Sequence, residues 1–247
     1  VMISKEEKPE DIGQLKFRYS DSFFLHSACS YDHELAIMSL GLTMSAFTYK
    51  ADGDKHARAA LHAIGCDDRT IESFRFDDQQ SCADSCGYII AAKKLPDDTF
   101  LIPVVIRSHC YGGEWVSNAH AVEEAYPDHA VGFKAAADGV YDAVTDYITR
   151  RGFDLGRVKL WLCGYSRGGA VTNLLGARFT FESGIGKDNI FAYSFATPVT
   201  VFDRACLFTD NIFNIMSEMD IVPRMPLRYW ALTRYGADMI VPCKARR

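Results

Sequence analysis

No stretch of this 247-residue chain reaches the roughly 18 uninterrupted apolar residues of a membrane-spanning helix. The nearest, Leu35 to Tyr49, is uncharged but broken by Ser39, Gly41, Thr43 and Ser45, which predicts a buried core helix. No basic run is longer than the closing Lys244-Ala-Arg-Arg247, and the formal net charge is −5. Phosphate binding needs a basic surface, so a nucleic-acid partner is excluded. Cys82 and Cys86 form the only close pair among eight scattered cysteines, and no second pair stands at zinc-ligand spacing, so neither metal nor cofactor is implied. Free thiols in a reducing compartment are favoured, with one or two disulfides left open. No signal peptide is visible. The chain starts at Val1 rather than Met, which keeps a secreted protein with a removed leader as the alternative to a cytoplasmic one. No internal repeat, low-complexity tract or Pro/Ser-rich linker divides the chain. A single α/β domain over 1–247 is the simplest account, with truncation at the C-terminus left open.

What is present centres on residues 158–169. The apolar run Val158 to Cys163 meets Gly164-Tyr-Ser-Arg-Gly168, and a helical pattern over Ala170 to Phe179 follows. A Gly-x-Ser-x-Gly match arises by chance in a chain of this length about one time in ten, usually in a polar loop. Here strand, sharp turn and helix surround it, the context of a nucleophile elbow. A larger residue two places either side of the serine would strike the neighbouring strand or helix. Ser166 is therefore the candidate nucleophile, with the backbone N–H of Arg167 as one oxyanion donor.

The remaining pattern is α/β. Asp32 can cap a helix from His33 to about Phe47; Lys55 to Ile64 reads as a second helix stopped by Gly65. Tyr88–Lys94 and Thr99–Arg107 are β-like and flank Pro96-Asp97-Asp98, a hairpin signal. Lys134 to Arg151 is helical, and strands are predicted over Asn189–Phe195, Asn211–Met216 and Ala237–Val241. Strands alternating with helices from about residue 130 imply a mixed, mostly parallel sheet with helices on both faces. Ser166, Pro198 and Asp220 each follow a predicted strand, so they would gather along one rim, where ligands of such sheets bind.

A serine hydroxyl needs a base and a carboxylate that orients it. Asp220 follows a strand and precedes a loop stiffened by Pro223 and Pro226, in the chain order nucleophile then acid. On spacing alone an exposed loop aspartate is the competing reading.

Several segments together resemble the class 3 lipase family, the fungal triacylglycerol-lipase type of α/β-hydrolase. Val104-Val-Ile-Arg-Ser-His109 with Gly113-Glu-Trp115 resembles its apolar strand, Arg-Gly-Ser/Thr turn and lid-region tryptophan. Gly132-Phe133 resembles its Gly-Phe signature, and Gly164-Tyr-Ser-Arg-Gly-Gly169 its Gly-His-Ser-Leu-Gly-Gly elbow. Phe195-Ala-Thr-Pro198 resembles its Phe-Gly-x-Pro strand end. Met219-Asp-Ile-Val-Pro-Arg-Met-Pro226 resembles its Asp-x-Val-Pro-x-Leu-Pro. The matches run from about residue 100 to 236 in a shared order. The resemblance implies that Asp220 is the triad acid, that the His109 backbone N–H is the second oxyanion donor, and that Trp115 lies at the mouth of the site. It implies a lipid or small-molecule ester as substrate and transient contact with a lipid interface. Ser108 stands where the family has Gly, and Arg167 where it has an apolar residue. A core aromatic is the competing role for Trp115, and pairing with an acidic neighbour for Arg167.

One departure is chemical. No histidine follows Asp220; the last is His129. The family's His-x-Gly element matches Arg234-Tyr-Gly236, and an arginine stays protonated and cannot act as a general base. Three readings compete: a triad histidine beyond Arg247, a substitute from His109 or His120, or a catalytically inactive hydrolase fold serving as a binding module.

Overall fold

The computed structural model describes residues 2–3, 13–14, 16–46, 53–76, 85–108, 131–202, 208–224 and 232–243. Its centre is one mixed sheet. The strands, in chain order, are β1 (Met2–Ile3), β2 (Gly13–Gln14), β3 (Glu72–Phe74), β4 (Tyr88–Ile90), β5 (Lys93–Lys94) and β6 (Phe100–Ile106). They continue as β7 (Val158–Tyr165), β8 (Ile190–Phe195), β9 (Val201–Phe202), β10 (Ile212–Ser217), β11 (Leu232–Thr233) and β12 (Ala237–Val241). The helices are α1 (His33–Ser45), α2 (Lys55–Ala63), α3 (Val131–Arg150) and α4 (Arg167–Glu182). The sheet runs β12-β10-β8-β7-β6-β4-β3, with β5 also on β6; β1–β2 and β9–β11 form separate two-stranded ribbons. From β6 to β12 the neighbours are parallel, and β3, β4 and β5 are antiparallel additions. The mixed, mostly parallel sheet expected from the sequence is what is found.

Strand alternation divides the core between two faces. Val158, Leu160 and Leu162 of β7 pack with Val140 of α3 and Val171 of α4 on one face. Trp161 and Cys163 pack with α1 and α2 on the other. Asp32 caps α1 through a bond from the Leu35 N–H (3.0 Å), which fixes its start where the sequence puts it. Two of the polar breaks in this helix have hydrogen-bond partners: Ser39 accepts from the Trp161 indole N–H at 2.8 Å, and Ser45 donates to the Leu42 carbonyl at 2.6 Å. Each turns a buried polar group into a satisfied one. None of the described helices is long and apolar enough to cross a membrane.

Several boundaries differ from the sequence pattern by a few residues, among them the start of α3 at Val131 rather than Lys134. Tyr88–Lys94 is interrupted at Ala91–Ala92, opposite Pro103 of β6. The Pro103 carbonyl accepts from the Ala91 N–H (3.1 Å), but the proline nitrogen has no hydrogen to return. The helix after Ser166 starts at Arg167, not Ala170. Gly168 and Gly169 lie inside its first turn.

Candidate active site

β7 drives the chain to the carboxyl edge of the sheet and stops at Tyr165. Ser166 then takes φ 53°, ψ −120°, a backbone state that non-glycine residues rarely adopt. Its own N–H extends the β7–β8 ladder by one rung, donating to the Phe195 carbonyl at 2.8 Å. Its carbonyl already accepts from Ala170 of α4 at 3.0 Å, so the turn from strand to helix is complete within one residue. Such a turn leaves no room for side chains on either flank. A Cβ on Gly164 would lie 2.3 Å from the Gly168 carbonyl oxygen, and one on Gly168 would lie 2.8 Å from the Ile106 carbonyl oxygen. The steric reason for the Gly-x-Ser-x-Gly spacing is thus present in these contacts.

Ser166 occupies the N-cap position of α4 but makes no side-chain capping bond. That position usually spends its hydroxyl on the first-turn N–H groups. Here Ser108, at the end of β6 and only 2% exposed, takes over the task. Its Oγ accepts from the Gly168 N–H at 2.9 Å and donates to the Tyr165 carbonyl. The Ser166 hydroxyl, on a partly exposed residue, is relieved of capping. Sequence reasoning missed this, treating Ser108 only as a departure from glycine. A serine after a buried strand carries no local sign of which helix it will cap.

Arg167 is buried, 5% exposed, and its guanidinium lies 5.7 Å over the Phe133 ring of α3. It forms part of the wall between α3 and α4. Its N–H stands at the amino end of α4, where the helix dipole favours negative charge.

Asp220 lies three residues beyond β10, partly exposed. Its Oδ1 accepts from the Val222 N–H at 2.9 Å, and its own N–H donates to the Ser217 carbonyl at 3.1 Å. β7, β8 and β10 are parallel with Tyr165, Phe195 and Ile215 in one row. Ser166, Pro198 and Asp220 therefore follow the carboxyl ends of their strands on the same rim, as expected. β7 and β10 are two strands apart, so their axes are separated by about 10 Å.

His109, His120, His129 and Trp115 lie outside the described residues. The described histidines are engaged on the α1–α2 side: His26 faces Asp32 at 3.7 Å, Tyr31 and His33 meet at 3.3 Å, and His62 contacts Asp68 at 3.2 Å; His56 stands on α2. Among the described residues no three His, Cys, Asp or Glu side chains come together as a metal site. Cys163 lies in the core as expected, and desolvation pushes its thiol up to about 12. The five described cysteines are free.

Arg234 is likewise buried, 9% exposed. It precedes the edge strand β12 and is hydrogen-bonded to Asp238, Thr197, Pro223 and Met216. The position matched to the family's His-x-Gly is thus filled by an arginine engaged in the protein interior.

Comparison with known proteins agrees with this architecture. The family model "Lipase (class 3)" matches residues 104–230, just over half of the chain. No curated protein matches the chain. Among solved structures, a Rhizomucor miehei triacylglyceride lipase is 19% identical, covering 85% of this chain and 81% of that one, with a TM-score of 0.57. A lipase from Rhizopus microsporus var. chinensis is 13% identical over 86% of this chain and 76% of its own, with a TM-score of 0.54. A fungal lipase in an inhibitor complex is 18% identical over 85% and 80%, with a TM-score of 0.56. At these identities the structures speak for the fold, and the family model speaks for descent. The chain belongs to the class 3 lipase family.

Proposed function

We propose that this protein is a serine hydrolase that cleaves carboxylic esters of lipid acyl chains through an acyl-enzyme on Ser166. The observation that carries the reading is the elbow. Ser166 sits at positive φ, at the amino end of a buried helix, with its hydroxyl freed from capping by Ser108. Strain of this kind costs on the order of 1–3 kcal/mol and persists only where the surroundings impose it.

In the proposed reaction the Ser166 Oγ bonds to the acyl carbon as its proton passes to an imidazole. The backbone N–H groups of Arg167 and His109 receive the oxyanion. The tetrahedral intermediate collapses, the C–O bond to the alcohol breaks, and the imidazolium protonates the leaving alkoxide. Water then repeats the sequence and releases the carboxylic acid. Asp220 holds the imidazole in the required tautomer. A separation of about 10 Å between the β7 and β10 axes leaves room for one ring between their terminal loops. The imidazole comes from His109, His120 or a histidine C-terminal to Arg247. A single domain, a lipid or small-molecule ester as substrate and transient contact with a lipid surface belong to the same proposal.

Hydrolysis of short-chain nitrophenyl esters by the full-length native protein tests it. Activity that Ser166→Ala abolishes supports the reading. A folded full-length protein with no esterase activity, or an unchanged rate in Ser166→Ala, rejects it.

A further inference from the structure

Beneath the rim, a chain of polar groups, buried at Asn173, Asn214 and Arg234 and exposed at Asp238, joins the nucleophile helix to the loop that carries Asp220. Asn173 of α4, fully buried, donates to the Asn214 Oδ1 at 2.8 Å. Asn214 of β10, also fully buried, donates to the Asp238 Oδ1 at 3.1 Å. Asp238 of β12 receives Arg234 through both oxygens: Nε to Oδ1 at 3.1 Å and Nη2 to Oδ2 at 2.6 Å. The opposite side of the guanidinium faces two backbone carbonyls. Nη1 donates to the Thr197 carbonyl at 3.0 Å and to the Pro223 carbonyl at 2.6 Å. Nη2 also reaches the Met216 Sδ at 3.6 Å. A guanidinium has five N–H donors, and these five acceptors match them.

The four oxygen acceptors belong to three separate segments. Thr197 is in the loop after β8, Pro223 is three residues beyond Asp220, and Asp238 is on the edge strand. We infer that Arg234 is a positioning residue for the proposed catalytic acid, its fork fixing the Asp220 loop against the β8 loop and β12. The inference rests on the proposed role of Asp220. The planar fork is essential because one face must grip a carboxylate while the other donates twice from a single nitrogen. Lysine supplies three donors on a freely rotating ammonium and reaches only part of the set. Asp238 orients the fork and is itself held by Asn214, so the acid loop takes its position from the same helix that presents Ser166.

Two measurements on Arg234→Gln and Arg234→Lys test the inference. The first is hydrogen exchange of the Val222 amide, which is bonded to Asp220 and so reports the loop directly. It is expected to exchange at least about tenfold faster in Arg234→Gln, with an intermediate rate in Arg234→Lys. Amides of β7 keep wild-type protection. The second is steady-state ester hydrolysis. Displacing a catalytic group by about 1 Å lowers kcat on the order of 10²-fold, and KM is expected to stay within about twofold because substrate binding does not pass through Arg234. Unchanged exchange at Val222, wild-type behaviour of Arg234→Lys, or loss of protection throughout the sheet overturns the inference. If Arg234→Gln does not fold, Asp238→Asn replaces it with the same expected exchange pattern and the same overturning results. If the wild-type protein itself fails to turn over, the proposed function fails, and exchange at Val222 alone still decides whether Arg234 holds the loop.

Discussion

Ser108→Ala removes the hydroxyl that links the end of β6 to the nucleophile elbow, and its cost follows from the geometry. Ser108 is 2% exposed and its Oγ accepts from the Gly168 N–H at 2.9 Å. Gly168 is buried in the first turn of α4, where a helix has no internal acceptor for its N–H groups. Loss of the acceptor leaves a buried donor unpaired, a penalty of about 1–3 kcal/mol. Removing an N-cap side chain costs about 1 kcal/mol on average, which gives a floor. The variant is therefore expected to lose about 2 kcal/mol. For a protein of this size that lowers the thermal midpoint by about 4–8 °C. Urea unfolding supplies the free energy and calorimetry the midpoint. The Gly168 amide should also exchange faster in the variant, while Leu162 of β7 keeps its protection. A loss below about 0.5 kcal/mol, the range of an ordinary surface substitution, would refute the assignment of Ser108 as the cap of α4. So would an increase in stability.

Three further outcomes are expected. Ser166→Gly relieves the positive φ at 53° and should stabilise the fold by about 1 kcal/mol in urea unfolding while ending ester hydrolysis; a destabilised variant would show that the elbow is not strained. Asp97, bonded to Lys159 at 2.7 Å, is subject to a desolvation effect that would raise its carboxyl, but hydrogen bonds from Lys159 and Thr99 prevail and hold it at about 2. The folded value is below the ordinary one of about 4, so this stabilisation is present above pH 4 and lost as pH falls from about 4 towards 2. Asp97→Asn should flatten the urea midpoint over that window, and an unchanged pH profile would contradict the assignment. Burial pushes the Cys66 and Cys163 thiols up to about 12, so iodoacetamide at pH 8 should spare both in the native protein and modify both in urea. Native labelling of either, mapped by peptide mass spectrometry, would contradict their packing.

The elements that set the rim were legible because each carried a local signature. Asp32 announced α1, the apolar run from Val158 led to the elbow, and Ala237–Val241 is β12 to the residue. The parts that stayed hidden depend on contacts between distant segments. β3 spans only Glu72–Phe74 and has no apolar alternation of its own; pairing with β4 makes it a strand, and Arg150 and Arg151 of the α3 end hold Glu72. Gly168 and Gly169 sit in α4 ahead of the expected start at Ala170, with β6 and the β8 loop close against them; a Cβ on Gly169 would lie 2.5 Å from the Thr197 Oγ1. The site divides the same way. Ser166 stands out as the candidate nucleophile from its strand–turn–helix context, whereas Asp220 is singled out as the candidate acid by the family resemblance of residues 219–226 rather than by spacing. Ser108 and Arg234 act across the fold, the first on a helix that starts 59 residues later and the second on a loop before it. Arg234 looked like a missing histidine in the linear pattern, and its partners show a guanidinium that binds three segments together.

The central claim is that Ser166 is an activated nucleophile, and covalent labelling tests it most directly. Full-length native protein is treated with a fluorophosphonate, digested and mapped by mass spectrometry. The account predicts one phosphonyl adduct, on Ser166, that forms with the folded protein and is lost on denaturation before treatment. A folded, full-length protein in which Ser166 stays unlabelled, or in which another serine takes the label at the same rate, would contradict it.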